Sequence, residues 1–189
     1  MEVVEYHLGN MLTRSCLRLL ENEISKLPNA ELLILQLGYA RVKLPRQLKP
    51  ELDLLIKKLD FQILKDADQI LVERIKSAAI ELIFHANNAS SLIRNSDYIS
   101  DKLGVPYDKL SRSFSRIKGQ TLEHYLIQLK VEKIKEMLIA QEFTLSEIAY
   151  QMGYSSVQYL SNQFKKSTGL TVSAFLQSPQ KWRIPLEDL

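Results

Sequence analysis

A pattern that occurs twice in the second half of the chain limits its fold more than any other feature. Leu110–Phe114 begins with Leu-Ser and ends with Phe, and Leu160–Phe164 does the same 50 residues later. The matches continue downstream, where Gly119, Thr121, Tyr125 and Leu126 recur as Gly169, Thr171, Phe175 and Leu176. Upstream, Ile99, Ser100 and Gly104 match Ile148, Ala149 and Gly153 at an offset of 49. A duplication of this size predicts one supersecondary unit used twice.

Each copy contains two short stretches with helical spacing of apolar residues, and each stretch ends at a glycine. In the first copy the stretches are 98–103, before Gly104, and 110–117, before Gly119. Glycine is common after the last helical residue because it adopts positive φ without strain. Two short helices joined by a tight turn form a helix-turn-helix, and a tandem pair predicts a DNA-binding unit.

Composition narrows the class of protein. The 189 residues are 46% hydrophobic and include one cysteine, which excludes an internal disulfide and fits a reducing cytoplasm. No apolar run approaches the ~18 residues of a membrane span, and the first residues lack the basic segment of an export signal. Residues 88–189 carry thirteen basic and ten acidic side chains, a mild excess that suits a phosphate backbone. We therefore predict a cytoplasmic protein without a membrane partner.

The first third of the chain predicts a small α/β unit. Strands are predicted at 1–8, 32–37, 41–44 and 61–64, and amphipathic helices at 10–26 and 47–59. The order βαββαβ is that of a ferredoxin-like domain, so the predicted fold class is α+β, with an all-α double helix-turn-helix domain following. Between them, a helix is predicted at 68–87, with Ile70, Leu71, Ile75, Ala78, Ala79 and Leu82 buried, and a flexible joint at 87–95.

Four regions follow from these patterns: 1–66, a connecting helix and linker at 67–94, a DNA-binding domain at 95–177, and a tail at 178–189. Within the third, a helix predicted at 122–140 would span roughly 28 Å, close to the roughly 34 Å between successive major-groove faces. Its expected polar surface comprises Glu123, Gln128, Lys130, Glu132, Lys133, Lys135 and Glu136.

Residues 145–154, Leu-Ser-Glu-Ile-Ala-Tyr-Gln-Met-Gly-Tyr, resemble the second helix-turn-helix of the AraC family of transcription regulators, and 155–166 and 169–171 continue the resemblance. It covers about 95–177 and implies a seven-helix domain that binds one face of double-stranded promoter DNA. The base-facing or phosphate-facing positions that it implies are Asp108, Lys109, Arg112, Ser155, Ser156, Val157, Gln158, Tyr159, Asn162, Lys165 and Lys166. Arg112 has the chemistry to pair with guanine, and Gln158 and Asn162 to pair with adenine.

Residues 9–16, Gly-Asn-Met-Leu-Thr-Arg-Ser-Cys, and the helix that follows them resemble the heavy-metal-associated domain of copper chaperones, whose two cysteines lie three residues apart. Here Cys16 keeps the second position, while Thr13 occupies the first as a helix N-cap. One thiolate cannot form a two-sulfur Cu(I) site, so a fold retained without its metal is favoured over a site built on Cys16, His7 and Met11.

The sequence therefore predicts a transcription regulator that is not an enzyme and needs no cofactor. Its expected partners are promoter DNA, RNA polymerase, a second copy in a homodimer, and an unknown small-molecule or metal effector. Two alternatives stay open: a metal-responsive binding protein with Cys16 as ligand, and an interaction protein that has lost DNA specificity. An alkyl-acceptor enzyme is disfavoured because Cys16 lacks the Pro-Cys-His-Arg context of that chemistry.

Overall fold

The chain divides into two units, residues 1–77 and 78–189. The computed structural model describes residues 1–85, 95–178, 183–186 and 189. No helix within these residues is long and apolar enough to cross a membrane. The regions predicted at 67–94 and 178–189 lie partly outside the described residues.

The N-terminal unit has the predicted element order βαββαβ. Its elements are β1 (Glu2–Gly9), α1 (Arg14–Ile24), β2 (Glu31–Gln36), β3 (Tyr39–Leu44), α2 (Lys49–Lys58) and β4 (Gln62–Leu64), with a 3-10 turn (Arg46–Leu48) before α2. All strand pairs are antiparallel, in the order β2-β3-β1-β4. This arrangement confirms the predicted α+β fold class.

The core of this unit lies between one face of the sheet and the two helices. Tyr6 and Leu8 of β1 are buried, whereas Val3 and Glu5 are exposed, as the period of a half-buried strand requires. Leu20 and Ile24 of α1 and Leu52 and Ile56 of α2 complete the core.

Three details of the N-terminal prediction are wrong. The first helix begins at Arg14 rather than Asn10, because Asn10 has φ 64° and cannot start a right-handed helix. Leu19, which the helical spacing of Leu12, Cys16, Leu19, Leu20 and Ile24 predicts to be buried, is 44% exposed. In the connecting helix, α3 (Ala67–Ile80), Ile70 and Leu71 are only half-buried, and the fully buried stripe begins at Val72.

The connecting helix continues as one π-helical turn, Glu81–His85. The rest of the predicted helix and the predicted joint at 87–95 lie outside the described residues, apart from Asn95.

The C-terminal unit contains every predicted helix between 95 and 177. These are α4 (Asn95–Leu103), α5 (Tyr107–Lys118), α6 (Leu122–Ala140), α7 (Leu145–Gln151), α8 (Val157–Thr168) and α9 (Val172–Leu176). Gly104 and Gly119 have φ of 65° and 69°, so the positive φ predicted at these two helix ends is confirmed.

The structure repeats its contacts at the offsets of the sequence. The turn bond from Val105 N to Ser100 O recurs 49 residues later as Tyr154 N to Ala149 O. The Oγ1 atoms of Thr121 and Thr171 each accept a backbone N–H three residues later, at 3.1 Å, and cap α6 and α9. The ring pair of Phe114 and Tyr125, with centroids 5.1 Å apart, is matched by Phe164 and Phe175 at 5.5 Å. The duplication is therefore a duplication of packing as well as of sequence.

The polar surface expected for α6 is partly wrong. Glu132 and Lys135 are 1% and 3% exposed, and their side chains pair at 2.5 Å inside the unit. In a sequence, two opposite charges three residues apart indicate a solvated helix face. Both groups can nevertheless be buried when each neutralises the other. Lys133 and Glu136 do form a partly exposed pair of the same spacing, and the apolar positions of α6 are buried as predicted.

Candidate DNA interface

Helix α5 presents the predicted first set of DNA contacts to solvent. Asp108, Lys109 and Arg112 are all exposed, and they lie in the first two turns of the helix. Arg112 Nε donates to the backbone carbonyl of Asp108 at 3.1 Å, so the guanidinium is folded along its own helix. Its other N–H groups retain the fork geometry that binds guanine or phosphate.

Helix α8 begins with a side-chain cap. Ser156 Oγ accepts the Tyr159 N–H at 3.1 Å, so one of the N–H groups expected to hold a phosphate is already satisfied. The N–H groups of Val157 and Gln158 lie in the first turn, where no intrahelical carbonyl can reach them. These two groups, with the exposed Ser155 and Ser156 hydroxyls, remain the phosphate-binding candidates at this helix end.

Two amide side chains on the exposed face of α8 bind each other. Gln158 Nε2 donates to Asn162 Oδ1 at 2.9 Å, one helical turn apart on an exposed face. A bidentate contact with adenine needs one amide N–H and the carbonyl oxygen. Gln158 keeps its second Nε2–H and its Oε1 for such a contact, so its hydrogen bond to Asn162 can persist when it binds a base. Val157, half-buried, is the least accessible of the predicted α8 contacts.

The other exposed residues of α8 include basic side chains that suit contact with a phosphate. Lys165 and Lys166 lie exposed in the last turn, and the helix Val157–Thr168 contains no acidic residue. Helix α5 is less uniform, because Asp108 occupies its first turn.

A side-chain cluster behind α8 was not predicted. Lys130 of α6 donates to the Met152 carbonyl at the end of α7, at 3.2 Å, and its Nζ lies 5.8 Å from the centroid of the Tyr154 ring. That ring lies 5.8 Å from the ring of Tyr159, which is 57% exposed on the first turn of α8. Burial, and to a lesser degree Tyr159, raises the pKa of Tyr154 to about 12, so its ring is neutral at pH 7. Lys130 thereby connects α6 to the turn between α7 and α8.

Burial also lowers the pKa of the Lys130 ammonium from its ordinary 10.5. Between the lowered folded pKa and 10.5, the unfolded chain binds a proton that the folded chain does not, so the free energy of unfolding rises with pH there. We expect urea unfolding at pH 8, 9 and 10 to show this rise in the wild type and to lose it in Lys130→Met. Lys133→Met, in the same helix, is the matched control and should keep the wild-type slope. The same slope in Lys130→Met and the wild type would contradict the assignment.

The metal alternative finds no support among the described residues, which include no group of three or more His, Cys, Asp or Glu side chains able to hold a metal ion. Thr13 is the N-cap residue of α1, as predicted, but its hydroxyl lies 3.3 Å from the Cys16 thiol instead of capping a backbone N–H. Cys16 is half-buried against the core, Met11 is buried, and the His7 ring lies against Tyr39.

Comparison with known proteins identifies a domain in the C-terminal unit. Residues 99–178, from the middle of α4 to just beyond α9, match a family described as a helix-turn-helix domain. The C-terminal unit contains an AraC-type helix-turn-helix domain.

Curated relatives of this AraC-type domain include two bacterial regulators. The bifunctional transcriptional activator/DNA repair enzyme AdaA of Bacillus subtilis is 38% identical over 74 residues, which cover 39% of this chain and 35% of that protein. The xylose operon regulatory protein of Escherichia coli K12 is 28% identical over 94 residues, covering 50% of this chain and 24% of that protein. This chain thus spans about a third or less of each.

Among solved structures, the C-terminal domain of AraT, a response regulator from Geobacillus stearothermophilus, is similar to the AraC-type domain. It is 26% identical, covers 59% of this chain and 88% of that chain, and gives a TM-score of 0.45.

Proposed function

We propose that this protein is a sequence-specific transcription regulator that inserts α5 and α8 into adjacent major-groove segments of promoter DNA. The observation that carries the proposal is the duplicated helix-turn-helix, in which both second helices present exposed polar side chains. Relatives of the AraC-type domain are named as a transcriptional activator and an operon regulatory protein, which supports the same role.

The length of α6 supports simultaneous insertion of α5 and α8 into the DNA. The 19 residues of α6 separate the two helix pairs. At ~1.5 Å per residue this helix measures roughly 28 Å, and successive major-groove faces recur about every 34 Å. A helix of this length would hold α5 and α8 of one chain at a separation that suits one side of the duplex.

Under this proposal the protein acts in the cytoplasm, has no catalytic activity, and needs no cofactor. The N-terminal unit serves as a sensing or interaction domain for a small-molecule effector or a second copy, and RNA polymerase is the expected partner at the promoter. The similarity to AdaA covers only 74 residues, or 35% of that protein, so the DNA repair activity in its name is no evidence for an enzymatic activity of this chain.

The test is genome-wide occupancy of the tagged protein, compared with the Arg112→Ala/Gln158→Ala variant. We expect sharp peaks that share a motif with two submotifs about one helical turn apart, and we expect the variant to lose them. The matched control, Arg18→Ala/Gln47→Ala, removes the same residue types from exposed positions of the N-terminal unit and should keep the peaks. Diffuse occupancy by the wild type, unchanged in the variant, would instead favour an interaction protein without DNA specificity.

A further inference from the structure

The sheet of the N-terminal unit has a recess at one edge, where β4 ends early. β4 pairs with β1 only from His7 to Gly9, whereas β3 pairs with β1 from Glu2 to His7 on the other side. A recess of about 470 Å³ lies beside Val4–Tyr6 and next to Ile63–Lys65, where a longer β4 would have continued. Its volume falls in the range of small-molecule sites.

The strand alternation directs backbone polar groups of Glu5 into this recess. The Leu8 N–H donates to the Gly38 carbonyl, which precedes β3, so Leu8 faces β3 and His7 faces β4. Glu5 lies two residues before His7 and has the same orientation, and no described strand pairs with its N–H and C=O on that side. Backbone groups without a partner need water or a ligand.

Helix α2 lines one side of the recess with both acidic and basic side chains. Asp53 is satisfied, because it accepts from Lys49 Nζ at 2.8 Å and from the Tyr6 hydroxyl at 2.6 Å. Burial opposes ionisation of Asp53, but these hydrogen bonds and the positive charges of Lys49 and Lys57 outweigh it and lower the pKa of the carboxyl. Asp53 therefore stays ionised and neutralises Lys49.

Two ammonium groups of the recess have no such partner. Lys57 of α2 and Lys65 after β4 both line the recess, and neither forms an ion pair or hydrogen bond within the described residues. The acids of the lining already have partners: Glu5 pairs with Arg41 at 3.4 Å, and Asp53 pairs with Lys49, although Asp53 also attracts Lys57. Glu2, two residues before Val4 and outside the lining, adds a further opposing charge. Val4, Ile63 and Leu64 supply an apolar surface beside the two lysines.

We propose that this recess binds the phosphate monoester of a small, partly apolar organic molecule. Two ammonium groups match the charge of a phosphate monoester, about −1.5 to −2 at pH 7. The Glu5 N–H provides an additional donor, and the apolar side chains contact the organic part of the ligand. The inference deepens the proposed function, since it assigns a ligand class to the sensing role of the N-terminal unit.

The test is isothermal titration calorimetry of the full chain with phenyl phosphate as the probe. Each lysine contributes a charge-assisted contact, so we expect Lys57→Gln and Lys65→Gln each to weaken binding about tenfold. Glu2→Gln, which removes the opposing charge, should strengthen binding. Lys58→Gln is the matched control, because Lys58 is exposed, adjacent in α2 and absent from the lining.

Other probes define the ligand class. Inorganic phosphate should bind more weakly than phenyl phosphate because it lacks the apolar group, and benzoate more weakly because it carries one charge. Equal binding of benzoate and phenyl phosphate, equal weakening by Lys58→Gln, or no heat at 10 mM phenyl phosphate would each overturn the site.

A DNA measurement separates this inference from the proposed function. Lys57→Gln and Lys65→Gln should bind promoter DNA as the wild type does without ligand, because both lie outside the AraC-type domain. If the wild type showed no sequence-specific DNA binding, the proposed function would be refuted, whereas the calorimetric result on the recess would be unaffected. Thermal melts of each variant confirm that it folds.

Discussion

Glu132→Ala is expected to lower the free energy of unfolding by about 3–5 kcal/mol, the cost of leaving one partner of a buried ion pair behind. Glu132 is 1% exposed and holds the ammonium of Lys135, 3% exposed, through Oε1. Its Oε2 accepts the Ile184 N–H at 3.2 Å and lies 3.8 Å from Arg183 Nε. The substitution therefore removes the carboxylate from a buried cation and releases the residues at 183–184 from α6.

Glu136→Ala is the matched control for this stability prediction. Glu136 pairs with Lys133 at the same i, i+3 spacing on the same helix, but the two side chains are 43% and 22% exposed. A pair in contact with water contributes about 0–1 kcal/mol, so this control should change stability little.

A double variant separates burial of charge from loss of packing. Glu132→Leu/Lys135→Met removes both charges and should destabilise less than Glu132→Ala, because neither charge then has to be buried. Urea unfolding of the variants, monitored by circular dichroism, provides the comparison. Similar small losses for Glu132→Ala and Glu136→Ala would show that the Glu132 carboxylate is not required for stability.

Gln158→Ala is expected to cost about 1–3 kcal/mol of discrimination between the preferred base and the others at one position of the site. Gln158 lies exposed in the first turn of α8, and its hydrogen bond to Asn162 orders its side chain before DNA binds. Arg112→Ala should relax specificity at a different position, in the submotif contacted by α5. Under the proposed insertion of α5 and α8 into separate groove segments, the two losses should add.

Competition binding on single-base variants of the selected site measures this effect. Gln163→Ala is the matched control, because Gln163 is half-buried on the same helix and bonds to Ser167. Lys165→Ala should weaken binding to all sequences about equally and reduce the salt slope by about 1, as expected of a phosphate contact. If Gln158→Ala resembled Lys165→Ala, Gln158 would be a backbone contact and not a specificity determinant.

Much of the architecture was predictable because it depends on local chemistry. The duplicated pattern predicted two equivalent helix pairs, and α6 has the predicted bounds because Thr121 caps its start. Gly104 and Gly119 end their helices for a reason visible in the sequence, since glycine adopts positive φ at little cost. The positions of the strands along the chain required only short apolar stretches interrupted by turns.

Tertiary structure alone decided which polar side chains are buried and which neighbours they have. Glu132 and Lys135 have the composition of a solvated helix face, and only the packing around α6 shows that they pair inside the unit. Lys130 lies 22 residues before Met152, and no local pattern relates that ammonium to a carbonyl at the end of another helix. Periodicity specifies which face of an element is apolar, whereas burial of a polar group depends on what the rest of the chain places against it.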